Sequence, residues 1–238
     1  MPALAPSASQ QQEAQILQAA ATCIEASSLL DFTMGALSRE VGLSMGSIYK
    51  HIQSKEDVLV ALGYYSRIHF EQLARRVLAL PLPMAARLVA IQLVDIQHAS
   101  PYSFGAQLTT LLGNEALLRR ASAGWLERYI ARDRAVEALF HQALSAAADS
   151  GELGIAGAAK APMIDEITTA IWSLCVGHSQ VTRQRNVRTF SEDLVRLNPD
   201  SIIVRTLQRL LNTYPWRHPV SAELIDETCR VLAAEGLR

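Results

Sequence analysis

TMGALSREVGLSMGSIYKHIQSK, residues 33–55, contains two short helical patterns separated by a glycine. Met34, Leu37 and Val41 recur at helical spacing, so they lie on one face of a first helix. A second apolar pattern follows within a few residues. The stretch therefore predicts two short helices that pack against each other.

The residues around the glycine indicate where each helix begins and ends. Thr33 stands before the first helix and can act as its N-cap, because a hydroxyl accepts from the free N–H groups of a first turn. Gly42 suits the end of that helix, since glycine takes the left-handed conformation without a steric penalty. Ser44 can cap the second helix. Short helices joined by a turn that contains glycine are the sequence form of a helix-turn-helix.

The second helix has two different faces. Its inward face carries the apolar residues Met45, Ile48 and Ile52. Its outward face and flanks carry small, polar or basic residues and no acid, namely Gly46, Ser47, Tyr49, Lys50 and His51. A helix that starts with small polar residues suits the major groove, where its first turns meet base edges. The pattern indicates DNA binding, and a solvated helical hairpin within a larger bundle is the alternative.

We expect residues of this region to contact DNA, with Tyr49, His51 and Lys55 suited to phosphate oxygens. The predicted DNA-binding set is Thr33, Arg39, Ser44, Met45, Gly46, Ser47, Tyr49, Lys50, His51 and Lys55. Residues 1–32 contain no lysine or arginine. Few phosphate contacts give a shallow salt dependence, so we expect binding to depend on base contacts and dimerisation, or on a partner that strengthens it.

The region resembles the N-terminal domain of the TetR family of bacterial transcriptional regulators. The matching residues are Ile16-Leu17, Ala19-Ala20, Thr33, Leu37-Ser38, Val41-Gly42-Leu43-Ser44, Gly46-Ser47-Ile48-Tyr49, His51-Ile52 and Ser54-Lys55-Glu56. The resemblance runs from Ile16 to about Leu62, and the remainder fits the family by its length and helical layout. It implies a helix that starts in the DNA-binding head and tilts that head when the second domain changes shape.

The predicted fold class is all-α, with an N-terminal three-helix helix-turn-helix DNA-binding domain and a larger helical ligand-binding and dimerisation domain. Half of the 238 residues are hydrophobic and 19% are charged, and no strand pattern occurs. We predict a flexible tail over residues 1–12, the DNA-binding domain over 13–62 and the effector-binding and dimerisation domain over 63–238. Gly63, near the division, either eases bending of the long helix or permits close packing.

Several other functions are not supported by any motif. The three cysteines, Cys23, Cys175 and Cys229, have the spacing of neither a disulfide framework nor a metal motif. The chain has no nucleophile elbow, no phosphate-binding glycine loop and no histidine pair at i, i+4. We therefore expect no catalytic residues, metal or cofactor, and no enzymatic activity. With no apolar run of membrane-spanning length, a cytoplasmic protein that joins the nucleoid when bound to DNA is expected.

Aromatic, histidine and cysteine side chains in apolar helices are candidates for a small-molecule site, although core packing is the alternative for each. They are Tyr65, His69, His98, Tyr102, Phe104, Trp125, Tyr129, Trp172, Cys175 and His178. An apolar or amphipathic effector is predicted. A basic run is either a solvated helix face or a site for an anionic effector such as an acyl-thioester cofactor. It consists of Arg119, Arg120, Arg128, Arg132 and Arg134.

Dimerisation follows from the DNA-binding hypothesis, because a two-fold dimer places two reading helices about 34 Å apart on a near-palindrome. The candidate interface residues lie on two C-terminal helical patterns and are Ile167, Ala170, Ile171, Leu174, Gly177, Ile203, Leu207 and Leu210. Burial inside one subunit is the alternative. The predicted function is a ligand-responsive dimeric repressor that an apolar small molecule releases from a near-palindromic operator. The alternatives are a helical interaction protein and an activator without small-molecule induction.

Overall fold

The computed structural model describes residues 7–189 and 197–238, and it confirms the all-α fold class. The helices are α1 (Ala8–Ala26), α2 (Met34–Val41), α3 (Met45–Ile48), α4 (Lys55–Leu78), α5 (Met84–Leu93), α6 (Ile96–Ala99), α7 (Gly105–Leu112), α8 (Glu115–Leu118), α9 (Ala123–Asp149), α10 (Lys160–Thr189), α11 (Ile202–Leu211) and α12 (Ala222–Ala234). A 3₁₀ turn, Gly157–Ala159, precedes α10. Over these residues the strand-like pairing is limited to an isolated bridge between Leu153 and Trp216. None of the described helices is both long enough and apolar enough to span a membrane.

The chain divides into two compact units. Unit 1 comprises the described residues up to Ile68 together with Ser100–Asp133, and unit 2 comprises His69–Ala99 and Arg134–Arg238. Each of α4 and α9 contributes residues to both units. Unit 1 is larger than the predicted 13–62 domain, because the apolar side chains of residues 100–133 belong to the same core as the helix-turn-helix.

The core of unit 1 joins α1, the helix-turn-helix, the start of α4 and the helices α7 to α9. Its fully buried side chains include Ile16, Phe32, Leu37, Ile48, Ile52, Leu62 and Leu108. Gly63 is a close-packing site. A Cβ at that position would lie 2.3 Å from Leu112 Cδ1 and 3.2 Å from Tyr129 Cε2, so any side chain there would displace its neighbours.

Unit 2 has a separate core built from α5, α10, α11, α12 and the second half of α9. Its members include Leu88, Leu93, Leu144, Ile167, Leu207 and Leu232. The C-terminal residue is fastened to this unit: the Arg238 guanidinium donates to the carbonyl oxygens of Leu93 at 2.8 Å and Leu197 at 2.9 Å. The Asp95 N–H donates to the Leu237 carbonyl at 2.9 Å. These bonds hold the end of α12 against the segment that follows α5.

Helix α1 begins within the segment that the sequence predicts to be a flexible tail. Ser7 and Gln10 form a capping box: the Gln10 N–H donates to Ser7 Oγ at 3.2 Å, and the Ser7 N–H donates to Gln10 Oε1 at 2.8 Å. Residues 8–12 are therefore helical, and the predicted flexible tail over residues 1–12 is wrong for that part. The remaining residues of that predicted tail, 1–6, lie outside the described residues.

Candidate nucleic-acid interface

The helix-turn-helix is built by the local signals in residues 33–55. Thr33 Oγ1 accepts from the Ala36 N–H at 3.1 Å and caps α2. Gly42 ends α2 in the left-handed conformation, with φ +70°. Ser44 Oγ accepts from the Ser47 N–H at 3.2 Å and caps α3. All three predicted caps are confirmed, and each satisfies a backbone group that the helix end leaves open.

The predicted apolar seam between α2 and α3 is also present. Leu37, Ile48 and Ile52 are fully buried, with 0% exposure, while Met34 and Met45 are half-buried. The α-helical part of α3 is shorter than the sequence predicts. It ends at Ile48, and a turn continues the chain, in which the Ile52 N–H donates to the Ile48 carbonyl at 2.9 Å.

The outward side of α3 is exposed. Gly46 and Lys50 are exposed, Tyr49 has 46% exposure, and Ser47 is half-buried with its hydroxyl 3.0 Å from that of Ser44. A Cβ on Gly46 would meet only the Ser44 hydroxyl, at 4.0 Å, so this side of the helix has open space before it. Arg39 on α2 is exposed as well. The surface is small, polar and basic, which suits the edges of bases and phosphate oxygens.

Two residues of the predicted DNA-binding set have partners inside unit 1. The His51 ring nitrogen Nε2 lies 2.9 Å from Gln12 Oε1 on α1. The Lys55 ammonium lies 4.6 Å from the centre of the Phe32 ring and donates to the Leu30 carbonyl. Both side chains therefore fasten the helix-turn-helix to its surroundings, a role that the sequence does not indicate.

A shallow groove lies beside Lys50 and His51, at the N-terminal end of α1. Its lining consists of Ala8, Ser9, Gln11, Gln12, Gln15, Lys50 and His51. Apart from Lys50 and His51, these side chains are uncharged. Gln11, Gln12 and Gln15 thus line a polar surface beside Lys50 and His51.

Three contacts from the start of α9 hold the helix-turn-helix, and we call Ser122, Trp125 and Arg128 the α9 brace. Trp125 Nε1 donates to the His51 carbonyl at 2.9 Å, directly after α3. The Ser122 N–H donates to the carboxylate of Asp57 at 2.6 Å. The start of α9 is therefore bonded to His51, which follows α3, and to Asp57, at the start of α4.

Asp57 is a fully buried carboxylate at the start of α4. Besides Ser122, it accepts from the Gln53 N–H at 2.9 Å, while its own N–H donates to Ser54 Oγ at 3.0 Å. A carboxylate in the first turn of a helix is favoured by the positive end of the helix dipole. Its hydrogen bonds pair the buried carboxylate with the N–H groups of Gln53 and Ser122.

Arg128 completes the brace. Its guanidinium donates to both carboxylate oxygens of Glu13 on α1, at 3.0 and 3.1 Å. It also lies over the Trp125 ring at 3.9 Å and the Tyr64 ring at 4.6 Å. Burial lowers the pKa of Arg128, but the hydrogen bonds and charge interactions with Glu13 and Tyr64 together outweigh that effect, and the pKa is raised overall. Arg128 therefore stays charged and joins α1, α4 and α9.

The predicted basic run does not form a uniform surface. Arg119 pairs with Glu115 at 2.5 Å on the exposed surface, and Arg120 lies 3.4 Å from Glu56. Exposed pairs of this kind contribute at most about 1 kcal/mol each. Arg132 lies 5.9 Å from the Tyr64 ring, and Arg134 is exposed. Arg128 is half-buried, unlike Arg119, Arg120 and Arg134, and it donates to both carboxylate oxygens of Glu13.

The structure divides the effector candidates between the two units. Five pack in or against the core of unit 1, namely Tyr65, Tyr102, Phe104, Trp125 and Tyr129. The Tyr65 hydroxyl donates to Glu13 Oε1 at 3.0 Å. Tyr102 and Phe104 stack with ring centres 5.1 Å apart, and burial raises the pKa of Tyr102 to about 12. Within unit 1 these residues serve as core.

The other five effector candidates belong to unit 2. His69 Nε2 lies 2.7 Å from the His98 carbonyl oxygen, so the ring of His69 is held by the backbone of its neighbour. Trp172, Cys175 and His178 lie on α10. Burial raises the pKa of the Cys175 thiol to about 11 and lowers the pKa of His178. A thiol with a raised pKa is a poor nucleophile, which favours a packing role for Cys175.

The candidate interface residues differ in exposure. Ile167, Ile203 and Leu207 have 0–1% exposure and are core residues of unit 2. Ala170, Ile171, Leu174, Gly177 and Leu210 are half-buried. Sequence reasoning missed the exposed apolar side chains on α10: Trp172 has 45% exposure and Val176, one turn later, has 44%. A helical-face pattern alone does not separate these two residues from their buried neighbours.

Comparisons with known proteins agree with this geometry. A family model described as bacterial regulatory proteins, tetR family, matches residues 16–62. A transcriptional regulator of the TetR family from Cytophaga hutchinsonii has a similar structure, with 15% identity, a TM-score of 0.63, and coverage of 90% of this chain and 100% of that chain. A comparison with curated protein sequences gives no match.

Two further solved structures resemble the chain. The FadR regulator of Bacillus subtilis, in complex with stearoyl-CoA, has 14% identity, a TM-score of 0.51, and coverage of 84% of this chain and 95% of that chain. A SmeT–triclosan complex has 18% identity, a TM-score of 0.51, and coverage of 89% and 95%. At such identities the likeness establishes the fold.

Residues 16–62, which contain the helix-turn-helix, thus match the tetR family model, and the chain shares its fold with a solved regulator of the TetR family. The match to the family model is confined to this N-terminal region, residues 16–62.

Proposed function

We propose that this chain is a ligand-responsive repressor, which binds a near-palindromic operator as a homodimer and is released by a small, largely apolar effector. The observation that carries the proposal is the outward side of α3. Gly46, Tyr49 and Lys50 are exposed there while Ile48 and Ile52 on the inward side are fully buried. A helix fixed from behind in this way keeps its outward side chains in one orientation, as reading of base edges requires.

Within the predicted DNA-binding set, we assign direct contacts to the exposed residues. Gly46, Ser47 and Tyr49 lie toward the bases, and Arg39 and Lys50 supply charge for phosphates. Thr33 and Ser44 cap helices through their hydroxyls, and their neighbouring N–H groups remain candidates for phosphate contact. Met45, His51 and Lys55 act by holding α3 in place, because their side chains are half-buried and the last two have intramolecular partners.

The dimer is proposed to form through the exposed face of α10, where Trp172 and Val176 lie one helical turn apart. Thr169, Ser173 and Gln180 share that exposed side of the helix. Apolar side chains within a polar rim are typical of subunit interfaces. The fully buried Ile167, Ile203 and Leu207 would then support the interface from inside unit 2 rather than contact the partner.

The effector is proposed to be small and largely apolar, with contacts from the candidates in unit 2. Support comes from the solved relatives whose structures contain stearoyl-CoA and triclosan, both rich in apolar surface. The α9 brace offers a means of response. Because α9 contributes to both units and its first turns bond the residues after α3, a shift of this helix on effector binding would change how α3 is held. Release requires the effector to bind more tightly to the state with low DNA affinity.

Selection of preferred duplexes from a random pool, followed by competition against random duplexes at matched salt, tests the proposal. We expect a two-fold related site. The slope of log affinity against log salt is negative, and Lys50→Ala should reduce its magnitude by about 0.9 for each phosphate that the lysine neutralises. Arg217→Ala, which removes an exposed cation of unit 2, is the control and should keep the wild-type slope. A helical interaction protein without DNA contact would yield no preferred sequence, and that result would reject the proposal.

A further inference from the structure

A histidine and two acidic side chains meet in unit 2. Glu137 and His141 are four residues apart on α9, so they lie on the same face of that helix. Asp165 approaches them from α10. One imidazole nitrogen and one oxygen of each carboxylate lie within 4.8 Å of one another.

His141 has an unusual environment. Its Nε2 atom is closed off from solvent and has no hydrogen-bond partner among the described residues. Buried polar atoms are almost always paired, because a nitrogen that loses water without gaining a partner is destabilising. The carboxylates of Glu137 and Asp165 differ from it in this respect, since both residues are exposed and their side chains have room to turn.

We propose that Glu137, His141 and Asp165 form a binding site for a divalent transition-metal ion of the Zn²⁺ class. An imidazole nitrogen with two carboxylate oxygens is a donor set that Zn²⁺ accepts, whereas Mg²⁺ and Ca²⁺ favour oxygen ligands alone. Zn²⁺ binds such atoms at about 2.0–2.2 Å, so two ligand atoms in tetrahedral coordination stand roughly 3.3–3.6 Å apart. The exposed carboxylates need only a small inward turn to reach that separation.

The proposed ion would be the missing partner of His141 and would fasten α9 to α10 within unit 2. Three protein ligands leave one tetrahedral position for water, which is the coordination of an open rather than a closed zinc site. Because binding needs the folded arrangement of two helices, Zn²⁺ should stabilise the folded protein in proportion to the logarithm of its concentration. The proposal does not depend on DNA binding.

Calorimetric titration of the chelator-treated, full-length protein with Zn²⁺, alongside thermal unfolding with and without the metal, tests the site. We expect one Zn²⁺ per chain and a higher melting temperature with Zn²⁺ present. Asp165→Asn, at an exposed carboxylate, should weaken binding at least about tenfold and remove most of the thermal shift, and His141→Gln should do the same. His218→Gln, at an exposed histidine of a turn in unit 2, should leave both measurements unchanged.

Two results would overturn the site. The first is wild-type protein that takes up no Zn²⁺ and shows no thermal shift. The second is stoichiometric binding that survives unchanged in Asp165→Asn, because the metal would then be held by other residues. Since Asp165→Asn removes only the charge of an exposed carboxylate, it keeps the test valid if His141→Gln fails to fold.

Discussion

Replacement of Trp125 by phenylalanine tests the α9 brace. The change keeps an aromatic ring in a site with 4% exposure and removes the N–H that donates to the His51 carbonyl at 2.9 Å. Loss of this hydrogen bond costs about 0.5–1.5 kcal/mol of the free energy of unfolding, and the unpaired carbonyl and the smaller ring raise the total to roughly 1–3 kcal/mol. The Arg128 guanidinium still has a ring beneath it, so the cation–π contact is largely retained.

Trp216→Phe is the matched control. Trp216 is buried to a similar extent, with 6% exposure, but its Nε1 has no hydrogen-bond partner in the described structure. The control therefore loses the same volume without losing a hydrogen bond, and it should be the less destabilised of the two in urea unfolding followed by circular dichroism. The difference between the two variants measures the bond from Trp125 to His51.

Measurement of operator affinity shows whether the hydrogen bond from Trp125 to His51 positions α3 or only stabilises the fold. In fluorescence anisotropy with the selected duplex, at a temperature where both variants are folded, Trp125→Phe should bind more weakly than Trp216→Phe. This order is expected because the His51 N–H closes the turn that carries Tyr49 and Lys50, and Trp125 holds the carbonyl of the same residue. Equal operator affinities in the two variants would refute the brace as a positioning device, even if their stabilities differ.

Three further predictions concern other parts of the chain. Gly63→Ala should destabilise the protein by about 1–3 kcal/mol in urea unfolding, because the new Cβ would overlap Leu112. Gly124→Ala, whose Cβ would have no atom within 4 Å, should not destabilise it, and equal stabilities of the two variants would contradict the close packing. Trp172→Glu should shift the protein from dimer to monomer in sedimentation velocity, with Leu30→Glu in unit 1, at 73% exposure, as the control; a dimeric Trp172→Glu protein would reject the α10 interface. In a variant whose other cysteines are serine, the alkylation rate of Cys175 should keep rising up to about pH 11, because burial raises the pKa of its thiol and the thiolate is the reactive form. A plateau by pH 9, the ordinary pKa of a thiol, would contradict the burial of Cys175.

The sequence predicts best what local interactions decide. Thr33, Gly42 and Ser44 act through backbone groups only a few residues away, so their roles as caps follow from residue type and spacing. The buried seam of Leu37 and Ile48 follows from helical periodicity for the same reason. Prediction fails where a distant residue competes for the same segment. The break between α5 and α6 is an example: the chain turns extended at Val94, and the next N–H, of Asp95, donates to the distant Leu237 carbonyl.

The contacts of the candidate site are mostly long-range and escape sequence reasoning. Trp125 is of a residue type that often lines ligand pockets, yet its indole N–H donates a hydrogen bond to the carbonyl of His51, 74 positions away. Lys55 and His51 have the residue types of phosphate contacts, yet both have intramolecular partners. The spacing of Glu137 and His141 is visible in the sequence, but the third ligand depends on how α10 lies against α9.

The central claim is that the outward side of α3 lies against DNA, and Gly46→Ala tests it most directly. A Cβ on Gly46 meets no atom of the protein closer than 4.0 Å, so the variant should be as stable as the wild type or more stable by up to about 1 kcal/mol. The same methyl group would project toward the duplex. Gly124→Ala, at a helical glycine with equally open space on α9, is the control.

Competition binding with the selected duplex at matched salt gives the decisive comparison. We predict that Gly46→Ala weakens specific binding at least about tenfold, equivalent to about 1.4 kcal/mol, while Gly124→Ala binds as the wild type does. Wild-type affinity in a folded Gly46→Ala protein would contradict the account, because no duplex could then approach α3 as closely as the proposal requires.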